Sequence, residues 1–482
     1  MFFSRRQALK TAGCGFGYLA LAGLAQASNS HVNPLTPNPS SRRGDPLAPK
    51  TPHHAPKAKR IIFLFMQGGP SQVDSFDYKP ALAQCDGQQM PFDDARTIAN
   101  TGQRQSSQRI MKNMWKFSQH GKSGRWASSL FPQVAQHVDD LCFVHSMHTE
   151  GVAHGPATLF LHTGSTNMVR PSMGSWITYG LGTENTNLPG FVTIAPSPGN
   201  GGARNYGHAF LPSVYQGTAL GTAGGPTEKM SIRHLKNSKY SVGEQEQFME
   251  LLNKINVEQL AKSPGDKELE AVAQSYELAW RTQQQAPDVL DLAKEKPETL
   301  AMYGIGQKET DDFGKQCLMA RRLCEAGVRF IQITHGDASA NPKWDQHSNL
   351  AKHAEHAKSV DQPIAALLTD LKRRGLLKDT LIWWGGEFGR TPYAEKNGSG
   401  RDHNPGGFTV WLAGAGVKPG FAYGATDEFG HHAIQDKVHM HDLHATILHL
   451  MGLDHEKLTF QYAGRPFRLT DVDGRVVKEI LS

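Results

Sequence analysis

The stretch Asp379–Leu412, DTLIWWGGEFGRTPYAEKNGSGRDHNPGGFTVWL, decides how the rest of the chain is read. It holds two apolar runs, LIWWGG and FTVWL. Their unbroken β-branched and aromatic character is the pattern of strands buried on both faces, as in a parallel sheet covered by helices. Between them the chain is polar or rich in glycine. Glu387, Arg390, Asp402 and His403 are therefore expected on loops at strand ends, where open α/β sheets hold their chemistry.

Working outward, further buried strands are predicted at IIFLFM (61–66), which stops at Gln67-Gly68-Gly69-Pro70, and at LCFVHSM from Leu141, FVTIAP from Phe191 and FIQIT at 330–334. Helical patterns fall at 130–137, at 172–182, ahead of the 330–334 strand, at 350–374 and at 442–452. In HTEGVAHGPATLFLHTG, Pro156 suits the first turn of a helix. That puts His154 at or beside a helix N-terminus, where backbone N–H groups and the dipole favour an anion. Residues 241–303, rich in Glu, Gln, Lys, Leu and Ala, read as an insertion of two or three surface helices. The alternation of strand, loop and helix predicts an α/β fold, a mainly parallel central sheet sandwiched by helices, over 60–482. Neither G-x-G-x-x-G nor G-x-x-x-x-G-K-[ST] occurs, which removes the dinucleotide and P-loop readings.

Residues 1–27 read as a twin-arginine signal peptide: SRRQALK at 4–10, a weakly apolar region, then Ala25-Gln26-Ala27 as a cleavage site. This predicts export to the periplasm or beyond. The run is shorter than the roughly 20 residues that span a bilayer, and no other run is apolar enough. Residues 28–59, with many Pro, Ser and Asn, read as an extended linker. Cys317 and Cys324 are seven apart on a predicted helix, a rise of about 10.5 Å, too far for a disulfide. The net charge of +6 is spread along the chain with no basic block, so nucleic acid is not an expected partner.

Two predicted loops collect metal-compatible side chains. One runs from His335 through Trp344-Asp345-Gln346-His347; the other from Glu387 through Arg401-Asp402-His403. Imidazole with carboxylate suits Zn²⁺, Mn²⁺ or Fe, whereas a pure oxygen set suits Ca²⁺ or Mg²⁺. Asp74 and Asp77 read as turn and cap residues. The histidine-rich stretch from His431 to His455 reads as solvated surface or capping.

The pieces QGGPSQVDSFDYKP, HGPATLFLHTG, WDQH, LLKDTLIWWGGEFGRTP, GRDHNP and DLHATILHLMGLD together resemble a family of exported bacterial proteins, the sulfatase-like domain of unknown function numbered 1501. That family is similar in turn to the alkaline phosphatase and sulfatase superfamily, whose members hydrolyse phosphate or sulfate esters beside one or two metals. The resemblance implies an alkaline phosphatase-like fold and a divalent metal, Zn²⁺, Mn²⁺ or Ca²⁺, held by Asp345, His347 and His403. It places Gln67 and Glu387-Phe388 where second-metal ligands are expected, although phenylalanine cannot bind a metal. It also puts His154 at the nucleophile position. Histidine can form a phospho-intermediate, ligate a metal or simply hydrogen-bond. Arg390 or Arg401 would hold anionic oxygens. The expected partner is an anionic ester substrate or an envelope glycan or polymer; the reading from a different class is a catalytically degenerate member that binds at the envelope.

Overall fold

The computed structural model describes residues 46–91, 109–227, 230–232, 239–395 and 398–482. The expected signal peptide, and the expected linker up to residue 45, lie outside them. The chain divides into two units, one of Met1–Asp45 with Lys236–Trp280, the other of Pro46–Leu235 with Arg281–Ser482. In the first unit the Val242–Lys262 helix starts at a capping box. Ser241 accepts the Glu244 N–H through its hydroxyl while the Glu244 carboxylate accepts the Ser241 N–H, satisfying two orphan donors reciprocally. None of its side chains is buried. The expected insertion also holds the helices Lys267–Leu290 and Pro297–Met302.

The second unit is built on a nine-stranded sheet. Its strands and two adjoining hairpins, in chain order, are β1 (Arg60–Met66), β2 (Phe117–His120), β3 (Arg125–Ser128), β4 (Leu141–His148), β5 (Phe191–Ile194), β6 (Thr218–Leu220), β7 (Phe330–His335), β8 (Thr380–Gly385), β9 (Gly389–Ala394), β10 (Arg401–Asn404), β11 (Phe408–Ala413) and β12 (Phe421–Tyr423). The sheet order is β12-β4-β11-β8-β1-β7-β5-β6, with Val438–His439 also on β4. Strand β1 lies between parallel neighbours, Met66 beside His335 of β7 and Phe65 beside Gly385 of β8. Its side chains alternate between two covered faces. Ile62, Leu64 and Met66 join a core with the helices Asp311–Glu325 and His353–Arg373. Phe63 stacks on Trp383 at 3.7 Å, and Phe65 meets His162 of the His154–Thr163 helix edge-on at 5.1 Å.

Two expectations are corrected by this sheet. Strand β11, read as parallel, runs antiparallel to both β8 and β4; an unbroken apolar run reports burial on both faces and says nothing about direction. The residues between β8 and β11, read as loop, form the antiparallel β9–β10 hairpin, in which His403 pairs with Arg390. That segment is buried, and buried backbone N–H and C=O groups must be paired.

Residues 46–59, expected as part of the linker, are held on the second unit. Lys50 N–H donates to Leu181 O at 3.0 Å, Lys57 N–H to Leu450 O at 2.8 Å and Lys59 N–H to Asp379 O at 2.7 Å. The C-terminal histidines also depart from expectation: His431, His441, His444 and His455 are buried. The rings of His441, His444 and His455 bond protein groups in place of water, as where His444 Nε2–H donates to Leu161 O at 2.9 Å. His439 does cap the Met440–Leu450 helix. Cys85, Cys142, Cys317 and Cys324 are free thiols. Among the described residues no helix is long and apolar enough to cross a membrane.

Candidate metal centre

Strands β1, β4, β7 and β8 point the same way, so their C-terminal ends share one edge of the sheet. The chain leaves β1 into Gln67-Gly68, β4 toward His154, β7 toward Asp345 and His347, and β8 into Glu387. The β9–β10 hairpin folds back over that edge and adds His403. Its attachment to the Asp345 loop is direct, since Arg401 N–H donates to Gln346 O at 3.1 Å. Residues separated by more than two hundred positions thus meet through topology alone.

His154, Asp345, His347 and His403 each offer a ligand atom, and the four atoms lie within 4.8 Å of one another. Asp345 Oδ1 is 2.8 Å from His347 Nε2 and 3.1 Å from His403 Nε2, and Oδ2 is 3.1 Å from His154 Nε2. The two Nε2 atoms of His347 and His403 face each other at 3.0 Å.

The outward ring nitrogens explain this crowding. His154 Nδ1 lies 2.8 Å from Glu387 Oε1, His403 Nδ1 lies 2.9 Å from Val152 O, and His347 Nδ1 meets the Glu395 carboxylate. Carboxylates and carbonyls only accept, so each Nδ1 carries a proton, and with a cation in the cluster each Nε2 would turn a lone pair inward. This is how imidazole ligands are held around a metal by their outer partners. His154 Nε2 is buried and makes no hydrogen bond of acceptable geometry, close as it is to Asp345. Three imidazoles and one carboxylate suit Zn²⁺ or Mn²⁺ and fit Ca²⁺ poorly, since Ca²⁺ takes oxygen ligands.

Without a cation, protons must fill the cluster. Burial would raise the Asp345 carboxyl, but the rings of His154, His347 and His403 beside it and the nearby Arg390 hold it far below the usual carboxylate range. Burial would lower His347, yet Asp345 and Glu395 lift it to about 9. His154 is raised against burial by Asp345 and Glu387. His403 goes the other way, to about 3, because burial outweighs its bond to Asp345. The imidazoles therefore divide into proton carriers and a neutral ring, set by how much carboxylate each one meets.

The remaining sequence candidates fall elsewhere. Glu387 is expected as a ligand but sits one shell out: besides His154, its two carboxylate oxygens accept Gly68 N–H at 3.0 and 3.1 Å. Gln67 does not share these bonds. Its amide is buried against Gly336 with neither polar atom hydrogen-bonded. Phe388 packs on His403 at 4.3 Å and on His154 at 5.2 Å between ring centroids, occupying with carbon the side where a second ligand is expected.

The two arginines are committed to the protein. Fully buried Arg390 donates to Gly69 O at 2.9 Å, Arg401 O at 3.1 Å, Gly68 O and Asp345 Oδ1 at 2.7 Å. Arg401, equally buried, pairs with Asp74 at 2.7 Å and donates to the carbonyls of Thr391, Met111 and Lys112. The expectation that either grips substrate oxygens is replaced by structural roles, because a guanidinium spent on carbonyls has its fork already filled. Asp74 is thus an ion-pair partner more than a turn residue. Sequence reasoning missed Glu395 and the Val152 carbonyl. Glu395 sits in a polar stretch with no spacing signal and reaches His347 only because the hairpin closes.

A family model described as "Protein of unknown function (DUF1501)" matches residues 58–481. The chain belongs to that family. No curated protein matches it. Similar solved structures include a sulfatase from Pseudoalteromonas sp., 12% identical with a TM-score of 0.36 over 83% of this chain and 68% of that one. A lipoteichoic acid synthase from Listeria monocytogenes is 9% identical with a TM-score of 0.35, over 88% and 79%. A protein in the alkaline phosphatase superfamily from Vibrio parahaemolyticus is 10% identical with a TM-score of 0.34, over 92% and 81%. Likenesses this distant carry no statement about chemistry, which rests on the residues above.

Proposed function

We propose that this protein is a metal-dependent hydrolase of phosphate or sulfate esters with a single metal, held by His154, Asp345, His347 and His403. The observation that carries the reading is the convergence of three Nε2 atoms on one carboxylate, each ring held by an accepting group behind it. When bound, the ion polarises an ester oxygen and makes bound water a stronger acid.

The chain's own residues then have distinct tasks. Glu387, Glu395 and the Val152 carbonyl orient the imidazoles. Phe388 keeps water from the side of His403 and His154 on which it packs. The start of the His154–Thr163 helix brings its unpaired N–H groups and the positive end of its dipole to the cluster, which favours an anionic ester there. His154 has Nδ1 bonded to Glu387 and a buried Nε2 aimed at Asp345 inside the cluster, which supports a ligand role over a nucleophilic one.

The test is hydrolysis of aryl phosphate, phosphodiester and aryl sulfate by the full chain loaded with Zn²⁺ or Mn²⁺, compared with His403→Ala. Turnover that disappears in the variant supports the proposal. A second reading, a binding protein for an envelope glycan or polymer, draws on the commitment of Arg390 and Arg401 and on Phe388. A stoichiometric metal with no turnover on any of these esters selects it over the first.

A further inference from the structure

Apart from the metal centre, the second unit has a cleft of about 320 Å³, walled by Trp115, Glu309, Thr310, Lys358, Asp361 and Gln362 among others. This is within the range of small-ligand sites. We infer that it binds a sugar ring and serves as a docking subsite for a glycan.

The polar wall carries acceptors beside the donors of Lys358, Gln133 and Gln307. Asp361 is 4% exposed, and its two oxygens accept the N–H groups of Gln133 and Val134 at 2.8 Å each. Among the described residues no ion pair reaches it, and burial pushes its carboxyl up to about 6. Gln362 spends its amide nitrogen on Ala301 O at 3.2 Å and Met302 O at 3.3 Å, leaving the amide oxygen. Thr310 donates its hydroxyl proton to Gly304 O at 2.6 Å and keeps its lone pairs. A ligand that satisfies such a wall brings groups that both donate and accept, as hydroxyls do.

Trp115 supplies the apolar half. It is half-buried, its indole near-parallel to the His353 ring with centroids 6.5 Å apart, and it lines the cleft beside those acceptors. A pyranose ring matches both halves, since its hydroxyls donate at the rim and its C–H groups cover an aromatic face. A cationic ligand matches less well. Lys358 already stands in the wall paired with Glu309 at 3.1 Å, and the surroundings of Asp361 disfavour charge. Two ring contacts, Trp115 on His353 and His353 edge-on to Trp344 at 5.0 Å, connect the cleft to the residue before Asp345. The inference stands whether or not the metal centre cleaves esters.

The experiment is calorimetric titration of the metal-loaded full chain with cellohexaose, chitohexaose, xylohexaose and mannohexaose, with spermine as a cationic probe. At least one oligosaccharide is expected to bind. Removing an aromatic anchor typically weakens binding about tenfold or more, so Trp115→Ala should do so, and Gln362→Ala, a change outside the core, should weaken it in the same direction. His403→Ala should bind sugar as the wild type does. Absence of sugar binding, binding undiminished in both cleft variants, or a response to spermine alone would each overturn the inference. Loss of ester hydrolysis leaves it untouched.

Discussion

Glu387 shows how much a single carboxylate does from one shell away. It holds His154 Nδ1 through Oε1 and closes the Gly68 turn with both oxygens. Replacement by glutamine keeps the shape but offers one accepting atom where two were used, so His154 loses its defined tautomer or Gly68 loses its acceptor. Outer-shell changes of this kind cost about 10–100-fold in metal affinity. Glu387→Gln should therefore lower Zn²⁺ affinity by that order in a competition titration while leaving the stoichiometry at saturation unchanged. His154→Ala removes a ligand and should lower the stoichiometry itself. If Glu387→Gln titrates like the wild type, Glu387 has no orienting role.

At the scale of elements, the centre depends on the turn after β1. Gly68 has φ +113°, and an added Cβ would lie 2.7 Å from Asp345 N and 2.9 Å from two Trp344 backbone atoms. Those neighbours are backbone and cannot swing aside, so Gly68→Ala must displace the loop that carries Asp345. Gly375, with φ +69°, has nothing within 4 Å of its Cβ position, so alanine there costs only conformational strain, about 1–2 kcal/mol. Gly68→Ala should thus lose metal by elemental assay, whereas Gly375→Ala keeps it with a modestly lower urea midpoint. Full metal content in Gly68→Ala would show that Asp345 is not tied to this turn. The same elements mark the limit of what the sequence discloses. LIWWGG, FTVWL and IIFLFM are legible as strands because their burial is written in unbroken apolar runs, and His154 at a helix start is legible from the Gly-Pro that follows it. The β9–β10 hairpin is not. Its buried Arg390 and Arg401 look like surface residues until their distant partners, Asp345 and Asp74, are known. Glu395 is hidden for the same reason: its role exists only after the hairpin has closed.

For the folded molecule, the histidines outside the centre set the response to acid. His162 is buried between its own helix and the sheet, Nδ1–H donating to Thr158 O at 2.7 Å and Nε2 lying 3.1 Å from the Gln332 amide, and burial lowers it to about 4. Burial likewise lowers His444 to about 3. Both folded values lie below the ordinary 6.5, so between 6.5 and those values the unfolded chain binds protons that the native state does not. Their stabilisation is whole above pH 6.5 and falls as pH drops, by about 3 kcal/mol each near pH 4. Asp361 acts in the opposite sense. Its folded value near 6 lies above the usual 3.8, so acid favours the native state there, by about 2–3 kcal/mol across that window. Two histidines outweigh one aspartate, and a net loss of several kcal/mol is a large share of a total stability of about 5–15 kcal/mol. Urea midpoints measured in chelator, so that metal release adds no pH dependence of its own, should fall steadily from pH 7 to pH 4. In His162→Gln, whose amide does not titrate, that fall should be shallower by the contribution of one proton, although the variant starts from a lower midpoint. A slope identical to the wild type would mean that His162 is protonated in the native state and that its pocket tolerates the charge.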